Sequence, residues 1–196
     1  MTDESTVDQM TVSLIRDQIK VAHEWFEGAM TGVTQAHAAW QPAGTTHPIG
    51  SLYAHATVTE DVMINALIQG GAPLFATSRS SKTGISDLQV EAKLEWARSV
   101  QVGLGQACQF THAVYANTDA YLANLGDDQL GRIVDLSQQE MSQWPLGAFL
   151  ITFVLGHIHD MMGEISVLTG LQGLQGYRSW HTSKLMSPPT QRYTND

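Results

Sequence analysis

Basic side chains are scarce in this sequence. Its 196 residues hold ten Lys and Arg against nineteen Asp and Glu, for a net charge of −9. There is no Lys/Arg cluster, so the electrostatic footprint of a nucleic-acid binder is missing. An anionic membrane surface would repel such a chain for the same reason. Cysteine is nearly absent as well. Cys108 stands alone, which excludes an intrachain disulfide framework and fits a reducing cytoplasm. It lies in GQACQF, an apolar stretch that reads as helix, so a buried, inert thiol is expected. Charged residues make up only 15%, too few for a disordered chain or a long solvated coiled coil. A long purely apolar run is also lacking. The uncharged stretch Met141 to His159 contains Ser, Gln, Pro, Gly and two His, and reads as a buried core helix. The opening MTDESTVDQM is acidic and polar, unlike a signal peptide. A cytoplasmic protein is therefore expected. No G-x-S-x-G, Walker-type loop or dinucleotide fingerprint occurs, and no strand precedes the Gly-rich GLGQAC.

What the chain does have is helical periodicity. Hydrophobic residues make up 43%, and the length suits one domain with a single large core. Residues 6–38 read as one long helix, with a stripe at Val12, Ile15, Ile19, Ala22, Phe26, Ala29 and Val33. Asp3, Glu4, Asp8 and Asp17 favour its early part, as the helix dipole prefers. Pro48 opens a second helix, capped by Thr46 or His47, which runs to Gln69 and stops at Gly70-Gly71. Its inward stripe is Leu52, His55, Thr59, Val62 or Met63, and Ala66. A Gly/Ser/Thr-rich loop covers residues 71–86. Helical pattern follows from Asp87, capped by Ser86, to Asn124, with a break expected at Gly103 to Gly105. LGDDQLGRIVDL reads as a turn and a short extended segment. A fourth helix spans Pro145 to Thr169, with Leu146, Leu150, Phe153, His157, Met161, Glu164 and Leu168 on one face. Four amphipathic helices with little strand signal predict an all-α four-helix bundle. Residues 1–170 would form this domain, and residues 171–196 a tail packed on or extending from it.

Two of these helices aim a histidine inward, His55 and His157. Bundles build metal sites from facing helices in this way, and a divalent ion needs three or four N, O or S ligands. The position one turn beyond His157 is Met161, a poor donor for zinc or nickel. Asp160 is near the right face and is a good hard ligand. Glu164 lies on the stripe one turn further, and Thr59 joins Met161 and Glu164 as a pocket candidate. His159 points roughly opposite to His157. Against this stands a structural reading, in which both histidines are hydrogen-bonded core residues and Met161 is core filling. His23 and His37 fall off the first stripe and should be peripheral. His47 reads as a cap or loop residue, His112 has no partner identifiable from sequence, and His181 lies in the tail.

Three stretches carry a family resemblance: AAWQPAGTTHPIGSLYAHATVTED, YANTDAYLANLGDDQLGRIVD and GHIHDMMGEISVLTGLQGLQGY. In order and spacing they resemble the DinB-like (DinB/YfiT) metal-dependent enzymes over most of residues 38–177. The resemblance implies an up-down-down-up four-helix bundle, often a homodimer. It also implies a metal site of one histidine from the second helix and two from the fourth. His55 matches the first and His157 the second, while Met161 stands where the third belongs. The implied cofactor is a divalent metal, zinc or nickel. The implied chemistry is S-transfer using a small-molecule substrate and a low-molecular-weight thiol. With one ligand replaced, either Asp160 completes an altered site, or the bundle is a non-catalytic small-molecule binding or sensing module that has lost metal binding.

Overall fold

The computed structural model describes residues 10–77, 82–137 and 142–176, and the chain is mostly helical. The N-terminal acids Asp3, Glu4 and Asp8, the tail beyond Gly176 and His181 lie outside the described residues.

Helix α1 covers Met10–Ala29 and buries Val12, Ile15, Ile19, Ala22, Phe26 and Ala29, the stripe that the period of 3.6 requires. It is shorter than the expected 6–38 helix. A turn intervenes, with Gly32 at φ 79°, a conformation that other residues adopt only under strain. A separate short helix, α2, then spans Gln35–Ala39. The Thr34 hydroxyl accepts from the His37 N–H, and His37 Nδ1 accepts from the Thr34 N–H, so His37 serves as half of a capping pair.

Helix α3 covers Ile49–Asp61 and continues as a wide π-helical stretch over Val62–Ile68. Pro48 itself is the flanking residue, without a side-chain cap, so neither Thr46 nor His47 caps this helix. Gly70, at φ 68°, ends it. Residues 87–93 are not helical, contrary to the pattern. The Ser86 N–H instead donates to Gln101 O, its hydroxyl accepts from the Gln101 N–H, and Trp96 Nε1 donates to Asp87 O. This tethered loop leads to a short α4, Leu94–Ser99, and the chain breaks before α5, Leu104–Ala123. The break falls where Gly103 to Gly105 suggested it. Gly84 packs against it so closely that a Cβ there would sit 2.6 Å from the Ala107 nitrogen.

A two-residue antiparallel pair, β1 (Ile133–Val134) and β2 (Trp144–Pro145), leads into α6, Leu146–Leu171. This last helix widens to π-helical turns over Leu150–Leu155. By length and composition it is apolar enough to cross a membrane. It packs against α1 and α3, burying Leu146, Phe149, Leu150, Val154, Ile158, Ile165 and Leu168. Helix α5 packs against α1 and α3 as well, so the four long helices share one core.

Polar groups cross that core in satisfied pairs, which is how buried polar atoms avoid their desolvation cost. His23 is one of them. It is 7% exposed and its Nε2 lies 2.9 Å from Glu60 Oε2, so it is a core residue and not peripheral as its place off the stripe suggested. Thr118 donates to the other Glu60 oxygen at 2.6 Å.

Candidate metal centre

Helix α3 is buried almost all round. Every residue from Ile49 to Asp61 is buried except His55. The sequence placed this ring against the core and away from water. The structure makes it the one partly open position on an otherwise enclosed helix. His157 meets it from α6. Their Nε2 atoms are 3.1 Å apart, with ring planes at 76°. Thr59, one turn along α3 and itself buried, holds its hydroxyl 3.2 Å from His55 Nδ1.

Both rings lean toward neutrality. Burial, then the charge of His157, then that of His47 lower the His55 pKa to about 4, and a Val90 backbone group pulls weakly the other way. Burial also lowers the His157 pKa, while the negative charges of Asp160 and Glu60 oppose the shift. Neutral imidazoles have the free lone pair that metal binding needs. Two nitrogens on one tetrahedral ion, with bonds near 2.0–2.1 Å, would be about 3.3 Å apart. The observed separation is close to that, so this pair fits two positions of a divalent site. Without an ion, one ring must donate to the other, and the tautomers follow from that choice.

The third position is less complete. Met161, one turn after His157, is partly buried against the core and offers only a thioether. Asp160 is exposed, close enough for its charge to act on His157. Glu164 is not on the inward face as the stripe required. It is exposed and lines a groove of about 600 Å³ with Trp40, Pro42, Thr46, Val167 and Leu171. The physical reason is the wide turn at Leu150–Leu155. A π-helical turn takes in an extra residue, which rotates everything after it. The buried positions beyond it are Ile158, Ile165 and Leu168. His159 turns away from His157, as spacing predicted, with Nδ1 at 3.0 Å from Leu155 O and its ring edge-on to Trp25.

One sequence expectation fails at α5: Cys108 is half-buried rather than enclosed. His112, for which the sequence identified no partner, has its Nε2 3.8 Å from Cys108 Sγ. The spacing of four residues was the available signal.

A family model for the DinB superfamily matches residues 18–165. Among solved structures, the chain is similar to a conserved protein from Enterococcus faecalis, with a TM-score of 0.63 and 22% identity over 81% of this chain and 96% of that one. That likeness is one of fold. No curated protein matches the chain.

Proposed function

The chain belongs to the DinB superfamily, and on that premise we propose that it is a metal-dependent enzyme working with a reduced ligand set. His55 and His157 hold a divalent metal, zinc or nickel, and Asp160, whose charge acts on His157, is the candidate for a third ligand. The observation that carries this reading is the 3.1 Å approach of two imidazoles at the one open position of a buried helix. The Thr59 hydroxyl supports it: by accepting from His55 Nδ1–H, it would fix the tautomer that leaves Nε2 free. A bound divalent metal would lower the pKa of a thiol or water, creating a nucleophile near neutral pH. The chain's own residues would do the rest. Burial favours the neutral form of His55 and His157, and the groove beside Glu164 and Trp40 offers an apolar wall for a small-molecule substrate. Thiol-dependent S-transfer is the reaction class we assign. An up-down-down-up four-helix bundle that associates as a cytoplasmic homodimer is the architecture we infer to accompany it.

Met161 favours a second reading. A thioether packed on the core at the third ligand position suits a non-catalytic small-molecule binding or sensing module. Elemental analysis of untagged protein purified without chelator separates the two. About one equivalent of zinc, nickel or manganese bound through the histidines, and lost in His55→Ala, supports the enzyme. No metal, with no shift in melting temperature when metals are added, supports the binding module.

A further inference from the structure

A second cluster of metal-ligating groups lies between α1 and α5, on elements that carry neither His55 nor His157. Glu27, Cys108 and His112 each present one donor atom, and the three atoms lie within 4.8 Å of one another. Cys108 Sγ is 3.8 Å from His112 Nε2, and that nitrogen is 4.0 Å from Glu27 Oε2. Sulfur and nitrogen on one tetrahedral zinc would stand about 3.5 Å apart, so small rotamer movements close the set.

The carboxylate is already oriented. Glu27 Oε1 accepts hydrogen bonds from Tyr53 at 3.0 Å and Tyr115 at 3.3 Å, which leaves Oε2 turned toward His112. Such outer partners are what hold ligating carboxylates in metal sites. Burial and the Glu27 charge push both phenol pKa values up, so both remain donors. The Tyr115 ring is fixed in turn by stacking on His23 at 3.6 Å. Tyr53 precedes His55 by two residues, which on a helix places the two on roughly opposite sides of α3. The two clusters are therefore separate.

We propose that Glu27, Cys108 and His112 form a second metal site, taking a divalent ion of the zinc class. Three ligands of mixed O, S and N type leave a fourth position, and the exposure of His112 opens it to solvent or to a small donor molecule. On binding, the Cys108 thiol gives its proton to solvent and its sulfur bonds the metal, while His112 and Glu27 contribute the Nε2 and Oε2 lone pairs. Affinity therefore rises with pH.

Cobalt(II) titration of the full chain, in a phosphine reductant, reads this site directly. Cys108 is the sole cysteine, so a thiolate-to-cobalt charge-transfer band can arise from nothing else. The expected result is a band that saturates at one equivalent of site and whose strength per chain is independent of protein concentration. It should vanish in Cys108→Ser and need about tenfold more cobalt in His112→Ala and in Tyr53→Phe. The band should persist in His55→Ala, whereas the histidine-pair site contributes no thiolate band. Circular dichroism checks that each variant is folded. Cobalt binding without the band would overturn the proposal, as would a band unchanged in folded His112→Ala and Glu27→Gln, or one that appears only at concentrations where two chains share an ion.

Discussion

Nε2 of His55 lies 3.1 Å from Nε2 of His157, and both rings are held below their ordinary pKa mainly by burial. For His55 the folded value is about 4, against about 6.5 in an unfolded chain. The folded state thus resists protonation that the unfolded state accepts. Stability from this group is complete above pH 6.5 and falls as pH drops toward 4. Allowing for partial exposure, the loss is on the order of 2 kcal/mol. Urea unfolding at pH 7 and pH 4.5 should show a larger acid loss for the native chain than for His55→Gln. Equal losses would mean the ring titrates normally.

Met161 occupies the position one turn after His157, where a third imidazole would face the same space. Met161→His should tighten zinc or nickel binding at the histidine pair by at least about tenfold, since chelation gains most from a preorganised last ligand. Competition with a chromophoric chelator measures this. Unchanged affinity would show that the wide turn at Leu150–Leu155 has rotated residue 161 out of reach of His55.

That wide turn also marks where sequence reading stops. Helix α1 is regular, and its buried residues repeat the stripe at Val12, Ile15, Ile19, Ala22, Phe26 and Ala29. In α6 the same reasoning placed Glu164 inward, yet it is exposed, because periodicity assumes one fixed turn. His55 and His157 were legible as a facing pair, since each stripe fixes a side. The openness at His55 was not, because α3 is buried on nearly every face and a stripe says nothing about which flank is left uncovered. His23 was misplaced for a related reason: the stripe predicts apolar burial, while its partner Glu60 lies 37 residues away on another helix. The Cys108–His112 spacing was visible, but the third donor, Glu27, is 81 residues before Cys108 and needed the fold to arrive.

His23 and Glu60 form a buried pair, 7% and 3% exposed, with Thr118 completing the carboxylate. Removing one partner strands the other in a low-dielectric core. Glu60→Ala should therefore cost about 3 kcal/mol or more, measured by denaturant unfolding. Glu60→Gln keeps the shape and can still accept from Thr118, so its cost should be clearly smaller. If both variants cost the same, the charge and not the hydrogen bonding holds this pair.

The Asp119 carboxylate lies at the other electrostatic extreme, near the surface. Arg16 reaches it through Nε at 2.6 Å and through its terminal nitrogen at 2.8 Å, and Lys20 adds a third contact at 3.0 Å. The Arg16 hydrogen bond is the main cause that lowers its pKa to about 2, with Lys20 assisting and burial opposing. Because the folded value is depressed, the contribution is present above the unfolded carboxylate pKa near 3.9 and is lost as pH falls through about 2. Asp119 is about a third exposed, at 34%, so solvent screening leaves roughly 0.5–1 kcal/mol of the nominal effect. Asp119→Asn should therefore lower stability by that small amount at neutral pH and low salt, and the deficit should shrink in about 1 M salt, where the Debye length is near 3 Å. Below pH 2 the variant and the native chain should converge. A deficit that ignored both salt and acid would assign Asp119 a packing role between α1 and α5 instead of an ionic one.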